Sequence, residues 1–260
     1  MKMGRFKNLE FNQPEPEESL AAGQKSDSRR DEHFYLAEAD SARRQGFYEN
    51  ALRYYSRSLE YNRSVVEAWV GQVRMLIELE EYPEAIVWSS KALELFRDNP
   101  DLMAGKAQAL VRQGDSASAT PLSDGAVQKP GQSAYRWLVR GELMVATRQR
   151  TDQYLFDKAV LADPDWIVLL DIGRVYLHHD APARALPWVR RAVDRAPTSA
   201  FAALCEGKCH AASENAALAR LSFERCLQLV PGYREAEEEL MRLQSSRKSL
   251  ASRLRGLFGS

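Results

Sequence analysis

Two kinds of apolar pattern alternate along most of the chain, and both have the spacing of an amphipathic helix. The first kind has a bulky residue, a small one four places later and a large one three further on, as in Trp137, Gly141 and Met144. The second kind runs small, bulky, small: Ala51, Tyr55 and Ser58; Ala185, Val189 and Ala192; Ala219, Phe223 and Cys226. Because steps of three and four return to one helix face, the patterns predict paired helices, with bulky residues filling gaps beside small ones.

These patterns recur with a period of 34 residues. Three sets of residues have this spacing: Ala51, Ala85 and Ala119; Ala185 and Ala219; and Pro197 and Pro231. Trp69 and Trp137 are separated by twice the period. Several units of this length indicate a repeat array in which each helix pair buries the apolar face of its neighbour. The prolines 12 places after an alanine predict the ends of second helices.

On these residues the chain resembles the tetratricopeptide-repeat family over about residues 32–231. The resemblance implies an all-α fold, a right-handed α-solenoid of about six helix-turn-helix repeats with a C-terminal capping helix. The predicted units are 32–65, 66–99, 100–133, 134–165, 166–199 and 200–233. The closing proline of unit four is Pro164, one residue earlier than Trp137 predicts, and we expect the deletion of this residue in the turn 147–153. Unit three departs most, because Pro121 and Gly125 lie within its predicted second helix.

The same resemblance implies that the first helix of each unit lines a concave groove. The expected partner-binding residues lie at the fifth and ninth places of the units: Leu36, Asp40, Val70, Arg74, Gln108, Leu138, Glu142, Leu170, Arg174, Leu204 and Lys208. A groove with apolar residues at the fifth places and polar or charged residues at the ninth places suits an extended peptide or an amphipathic helix of a partner protein. The alternative is that the apolar stripe packs within the chain and the charges are solvated.

Composition and motifs favour a binding protein over an enzyme. Lys+Arg 36 equals Asp+Glu 36, so overall charge gives no reason to expect a nucleic-acid partner. The chain has no glycine-rich phosphate loop, HExxH or GxSxG motif, and we predict no catalytic residue and no cofactor. Cys205, Cys209 and His210 resemble a metal cluster only locally, and buried structural thiols explain these cysteines better, so no metal site is predicted.

The two ends of the chain differ from the repeats. Residues 1–30 are predicted to be a disordered tail, 31–244 the solenoid with its capping helix, and 245–260 a basic amphipathic tail. The tail carries apolar and basic residues at helical spacing: Arg247, Lys248, Leu250, Arg253, Leu254, Arg255, Leu257 and Phe258. An alternative function is therefore a peripheral membrane scaffold or self-associating assembly held by this tail. Three cysteines and the lack of an apolar leader predict a cytoplasmic protein, with peripheral membrane contact left open.

Overall fold

The computed structural model describes residues 31–245, and within that range every regular element is a helix. The helices are α1 (Glu32–Arg44), α2 (Tyr48–Tyr61), α3 (Val66–Glu78), α4 (Tyr82–Leu95), α5 (Pro100–Gln113), α6 (Ser116–Gln128), α7 (Ala134–Ala146), α8 (Asp152–Ala162), α9 (Trp166–His178), α10 (Pro182–Arg195), α11 (Ala200–Ala212) and α12 (Ala216–Leu229). A further helical stretch covers 234–245. The chain divides into two compact units, Met1–Leu155 and Phe156–Ser260.

The numbered helices alternate as first and second helices of six repeats, and each first helix begins at the first residue of a predicted unit. In the first unit, each helix from α1 to α7 contacts the next along the chain, and the first helices α1, α3, α5 and α7 also contact one another in that order. In the second unit, α9 to α12 follow the same arrangement. The predicted all-α helical repeat fold is confirmed.

A left-handed residue ends each first helix and turns the chain into the second. These residues have positive φ and are 34 residues apart, except for a step of 32 across the shorter fourth unit: Gly46, Glu80, Gly114, Arg148, Asp180 and Glu214. Gly tolerates this conformation without strain, whereas the four residues with side chains adopt it at a cost of about 1–2 kcal/mol each. The local cost is offset by helix pairing, since the same turn recurs in all six pairs.

Small residues on one helix receive bulky residues from its neighbour, as the sequence patterns predict. A Cβ atom at Gly207 would lie 2.4 Å from Phe223 Cε1, and one at Gly173 would lie 2.4 Å from Val189 Cγ2. These glycines therefore set how closely the two helices of their pairs approach. Each unit also has its own aromatic core contact, Trp69 with Trp88 in the first and Phe156 with Tyr176 in the second.

The sixth helix is complete, although its sequence predicts a poor helix. Helix α6 extends through Pro121, and Asp115 caps its start by accepting a hydrogen bond from the Ser118 backbone N–H. Pro121 is exposed, so the carbonyl that loses its helical partner faces water instead of the core. Burial of Ala119, Ser123 and Ala126 shows that packing of one face overrides weak propensity here.

The stretch 234–245 follows the last pair and occupies the next first-helix position. Ala236 and the preceding Tyr233 are buried, and Lys208 of α11 forms an ion pair with Glu235. Met241 and Glu237 remain exposed on another side of the stretch. A mostly polar outer surface is what a terminal helix of a repeat array requires. Within 31–245, no helix combines the length and apolar character needed to cross a bilayer.

Candidate partner-binding groove

The ninth residue of a first helix contacts the second residue of the next first helix. Three such contacts join residues that are 27 positions apart. The Tyr135 hydroxyl donates to Gln108 Oε1 at 2.7 Å, the Arg174 guanidinium lies 5.6 Å from the Phe201 ring centroid, and the Lys208 ammonium pairs with Glu235. The predicted polar residues at the ninth places therefore connect neighbouring first helices in both units, in addition to any role toward a partner.

In the first unit these contacts extend into a polar network across α3, α5 and α7. Gln108 Nε2 donates to Glu142 Oε2 at 2.7 Å, and Arg112 Nε donates to Glu142 Oε1 at 2.7 Å. Arg112 also forms an ion pair with Glu78 at 3.5 Å. The Arg74 guanidinium lies over the ring of Tyr135, 4.2 Å from its centroid. The structure thus brings together three predicted groove residues, Arg74, Gln108 and Glu142.

Most of this network lies below the accessible surface. Glu142 is 0% exposed and Gln108 is 2% exposed, and the Arg112 side chain is only 6% exposed. Burial raises the pKa of Tyr135, which keeps its hydroxyl protonated and able to donate to Gln108. Because a buried carboxylate requires compensating donors, Glu142 depends on Arg112 and Gln108. The network therefore positions the three first helices relative to one another.

The fifth-place residues divide into two groups. Leu138, Leu170 and Leu204 are buried, so these three follow the alternative of packing within the chain. Leu36 and Val70 are only partly buried and lie against the edge of the first core. Access for a partner is consequently greater at α1 and α3 than at the later first helices.

The neighbouring helices α1 and α3 present the most open part of the predicted groove. Asp40 is 52% exposed and pairs with Arg43 at 3.1 Å. Arg74 is half-buried and stands one helical turn after Val70. This surface combines two aliphatic side chains with charges of both signs. In the second unit, Arg174 contacts Asp171 at 3.6 Å, and Lys208 retains 35% exposure beside Glu235.

Sequence reasoning missed Glu78, Arg112 and Tyr135 as parts of the groove region. A signal was present, since Glu78 and Arg112 occupy the same repeat position 34 residues apart. That position follows the ninth place by one helical turn and so lies on the same helix face. Tyr135 is the second residue of its first helix. The contacts between residues 27 apart show that this residue meets the ninth residue of the preceding first helix.

The three cysteines are buried and unpaired with one another. Burial raises the pKa of Cys205 to about 11 and that of Cys226 to about 12, and it also raises the pKa of Cys209. Thiols with such pKa values stay protonated near neutral pH and are poor nucleophiles and metal ligands. Their surroundings are those of small apolar residues in a helix interface.

The predicted C-terminal membrane or partner residues lie outside the described part of the chain. This applies to Arg247, Lys248, Leu250, Arg253, Leu254, Arg255, Leu257 and Phe258. The expected tail at residues 1–30 lies outside it as well. Their roles stay predictions, as do the cytoplasmic location, the absence of a nucleic-acid partner and self-association.

Comparison with known proteins agrees with the repeat geometry. The tetratricopeptide repeat family model matches residues 36–100 and 154–200. No curated protein matches the chain. A tetratricopeptide repeat protein from Parabacteroides merdae is 17% identical, with a TM-score of 0.51 over 82% of this chain and 83% of that one. Human IFIT1, a dimer with PPP-AAAA, is 18% identical, with a TM-score of 0.56 over 82% of this chain and 53% of that one. The repeat pattern, the helix pairing and the family-model match support tetratricopeptide repeats within residues 36–100 and 154–200, and the solved structures share the helical-repeat fold.

Proposed function

We propose that this protein is a non-enzymatic scaffold that binds a peptide or helix of a partner protein across its first helices. The observation that carries the proposal is the open surface of α1 and α3, formed by Leu36, Asp40, Val70 and Arg74. Partly accessible aliphatic side chains offer apolar area to a partner, and the adjacent charges fix its direction. A tetratricopeptide-repeat fold is well suited to this task, because it presents successive helices along one face.

The buried network supports this role without touching the partner. Gln108, Arg112 and Glu142 use their polar atoms on one another, so few of them are available to an incoming chain. Their hydrogen bonds instead hold α5 and α7 in register with α3. A surface that is ordered before binding loses less conformational entropy when the partner arrives. The network therefore favours affinity at the neighbouring open surface.

Two valines on the two helices of one pair allow a sharp test. Val70 lies on first helix α3, and Val87 lies on second helix α4 with 51% of its surface exposed. Full-length protein carrying Val70→Asp should lose partners that the unchanged protein captures from a cell extract. Val87→Asp introduces the same charge on the other helix of the same pair and should retain them.

Quantitative mass spectrometry of the captured proteins gives the readout. Thermal unfolding of both variants checks that each remains folded at the capture temperature, since Val70 is partly buried. We expect at least a tenfold loss of the specific partner with Val70→Asp, which corresponds to about 1.4 kcal/mol of binding free energy. Equal capture by both variants would contradict binding across the first helices.

A further inference from the structure

Among the described residues, no helix precedes α1, whereas within each unit a second helix contacts the first helix of the next pair. From the second pair onward, the third residue of each first helix is buried: Ala68, Leu102, Arg136, Val168 and Ala202. The equivalent residue of α1 is Phe34, and it keeps 38% of its surface exposed. In the later pairs of each unit, the burial of this position accompanies contact of the first helix with the preceding second helix.

The tenth residue shows the same contrast. Met75, Ala109, Leu143, Val175 and Cys209 are buried at this place. The equivalent residue of α1 is Ser41, which is exposed, and Ala37 and Glu38 between it and Phe34 are exposed too. Residues 34, 37, 38 and 41 share one face of α1. We name this face, with Phe34, Ala37, Glu38 and Ser41, the N-terminal edge.

An aromatic cluster extends one end of the N-terminal edge. The rings of Phe34 and Tyr35 meet edge to face at 5.3 Å between centroids. Tyr35 in turn stacks on Tyr61 of α2 at 5.4 Å, and Tyr61 is 56% exposed. Exposed aromatic rings that lie in contact form a larger apolar area than isolated ones, and such areas usually mark a contact surface.

We propose that residues 3–11 of this chain bind the N-terminal edge and cover it. This segment, MGRFKNLEF, contains Met3, Phe6, Leu9 and Phe11, which gives it the apolar side chains that the edge can accept. The proposal is independent of partner binding across α1 and α3, because the N-terminal edge is a different face of α1.

Chain length and connectivity favour this segment over a separate molecule. Helix α1 begins at Glu32, so residues 12–31 join the segment directly to the edge. About 20 residues span up to roughly 65 Å when extended, far more than the length of α1 requires. A short tether also gives the segment a local concentration on the order of millimolar, which a free partner rarely reaches.

Charge also favours the segment. Lys2, Arg5 and Lys7 surround its apolar residues, and Glu10 is the one acidic residue among the first eleven. The N-terminal edge presents Glu38 to solvent. Opposite charges at the rim of an apolar contact fix its orientation more than they add to its affinity. The basic segment therefore matches the edge in charge as well as in apolar character.

Hydrogen exchange on the full-length protein tests the proposal. The triple variant Phe6→Ser, Leu9→Ser and Phe11→Ser should accelerate exchange of the amides at residues 35–41 by about tenfold. Leu20→Ser is the matched control, since it removes an apolar side chain from the same terminal region outside the segment. Adding Phe34→Ser to the triple variant should cause little further acceleration, because both changes remove the same contact.

Two outcomes would overturn the proposal. The first is unchanged exchange at residues 35–41 in the triple variant. The second is protection that rises with protein concentration together with a dimer in sedimentation velocity, which would assign the edge to a second copy. A concentration-independent acceleration confined to the triple variant and to Phe34→Ser would support the segment as occupant.

Discussion

At the scale of single residues, side-chain volume decides how closely paired helices approach. Gly207 lies beside the fully buried ring of Phe223, and Gly71 lies beside the ring of Tyr55. The sequence pattern predicts such small-to-bulky contacts from spacing alone, because the 3.6-residue period fixes which side chains share a face. It does not predict which glycine sits closest to its neighbour, since that distance depends on the tilt of both helices.

Gly207→Ala should lower the free energy of unfolding by about 1–3 kcal/mol, because the new methyl group overlaps Phe223. Alanine is the better helix former by about 1 kcal/mol, so a gain in stability would result if the two helices were loosely packed. Chemical denaturation measures the change. The double variant Gly207→Ala and Phe223→Leu supplies the control: it should lose less than the sum of the single variants. Additive losses would show that the two residues do not meet.

Polar residues at the groove show where sequence reasoning reaches its limit. The period identified Arg74, Gln108 and Glu142 as one column of side chains, and the structure joins them in one network. Whether a polar side chain points to solvent or to another polar side chain depends on the neighbouring helix. Glu142 is fully buried and accepts hydrogen bonds from Arg112 and Gln108 of α5, and a single sequence does not disclose these contacts.

At the scale of elements, packing overrides local propensity most clearly in α6. Its sequence contains Pro121 and Gly125, yet the helix runs from Ser116 to Gln128. Pro187 occupies the equivalent place in α10, and both prolines are exposed. The outer side of a second helix therefore accepts a proline, since the unpaired carbonyl there can bind water.

Pro121→Ala should raise the free energy of unfolding by about 1–2 kcal/mol, because it restores a backbone hydrogen bond within α6. Hydrogen exchange gives a local readout: amides of residues 116–128 should exchange faster than those of α12 in the unchanged protein, and Pro121→Ala should slow them. Pro187→Ala is the matched substitution in α10 and should act in the same direction. No slowing in α6 would mean that the missing hydrogen bond does not limit its stability.

The turn between α7 and α8 shows how much a period can resolve. The sequence predicts a deletion within 147–153, and Arg148 lies four residues before the buried Asp152. In the other pairs the left-handed residue lies five before the buried alanine, as Asp180 lies before Ala185. The deletion therefore falls between residues 148 and 152, and α8 is shorter than the other second helices.

At the scale of the whole molecule, the 34-residue period carries most of what the sequence discloses. It predicts the all-α repeat fold and, with the shorter fourth unit allowed for, the start of every first helix, because the helix pairs pack in the same way. It cannot give the depth at which a side chain lies, and Leu138, Leu170 and Leu204 illustrate this point. All three recur at the predicted groove position, and all three are buried.

The proposed scaffold role depends on which helix face meets the partner. A photo-crosslinking amino acid placed at Val70 or at Val87 of the full-length protein measures this directly in a cell extract. Position 70 should yield a discrete adduct with a partner protein, and position 87 should yield none above background. Adducts at position 87 alone, or at neither position, would contradict binding across the first helices.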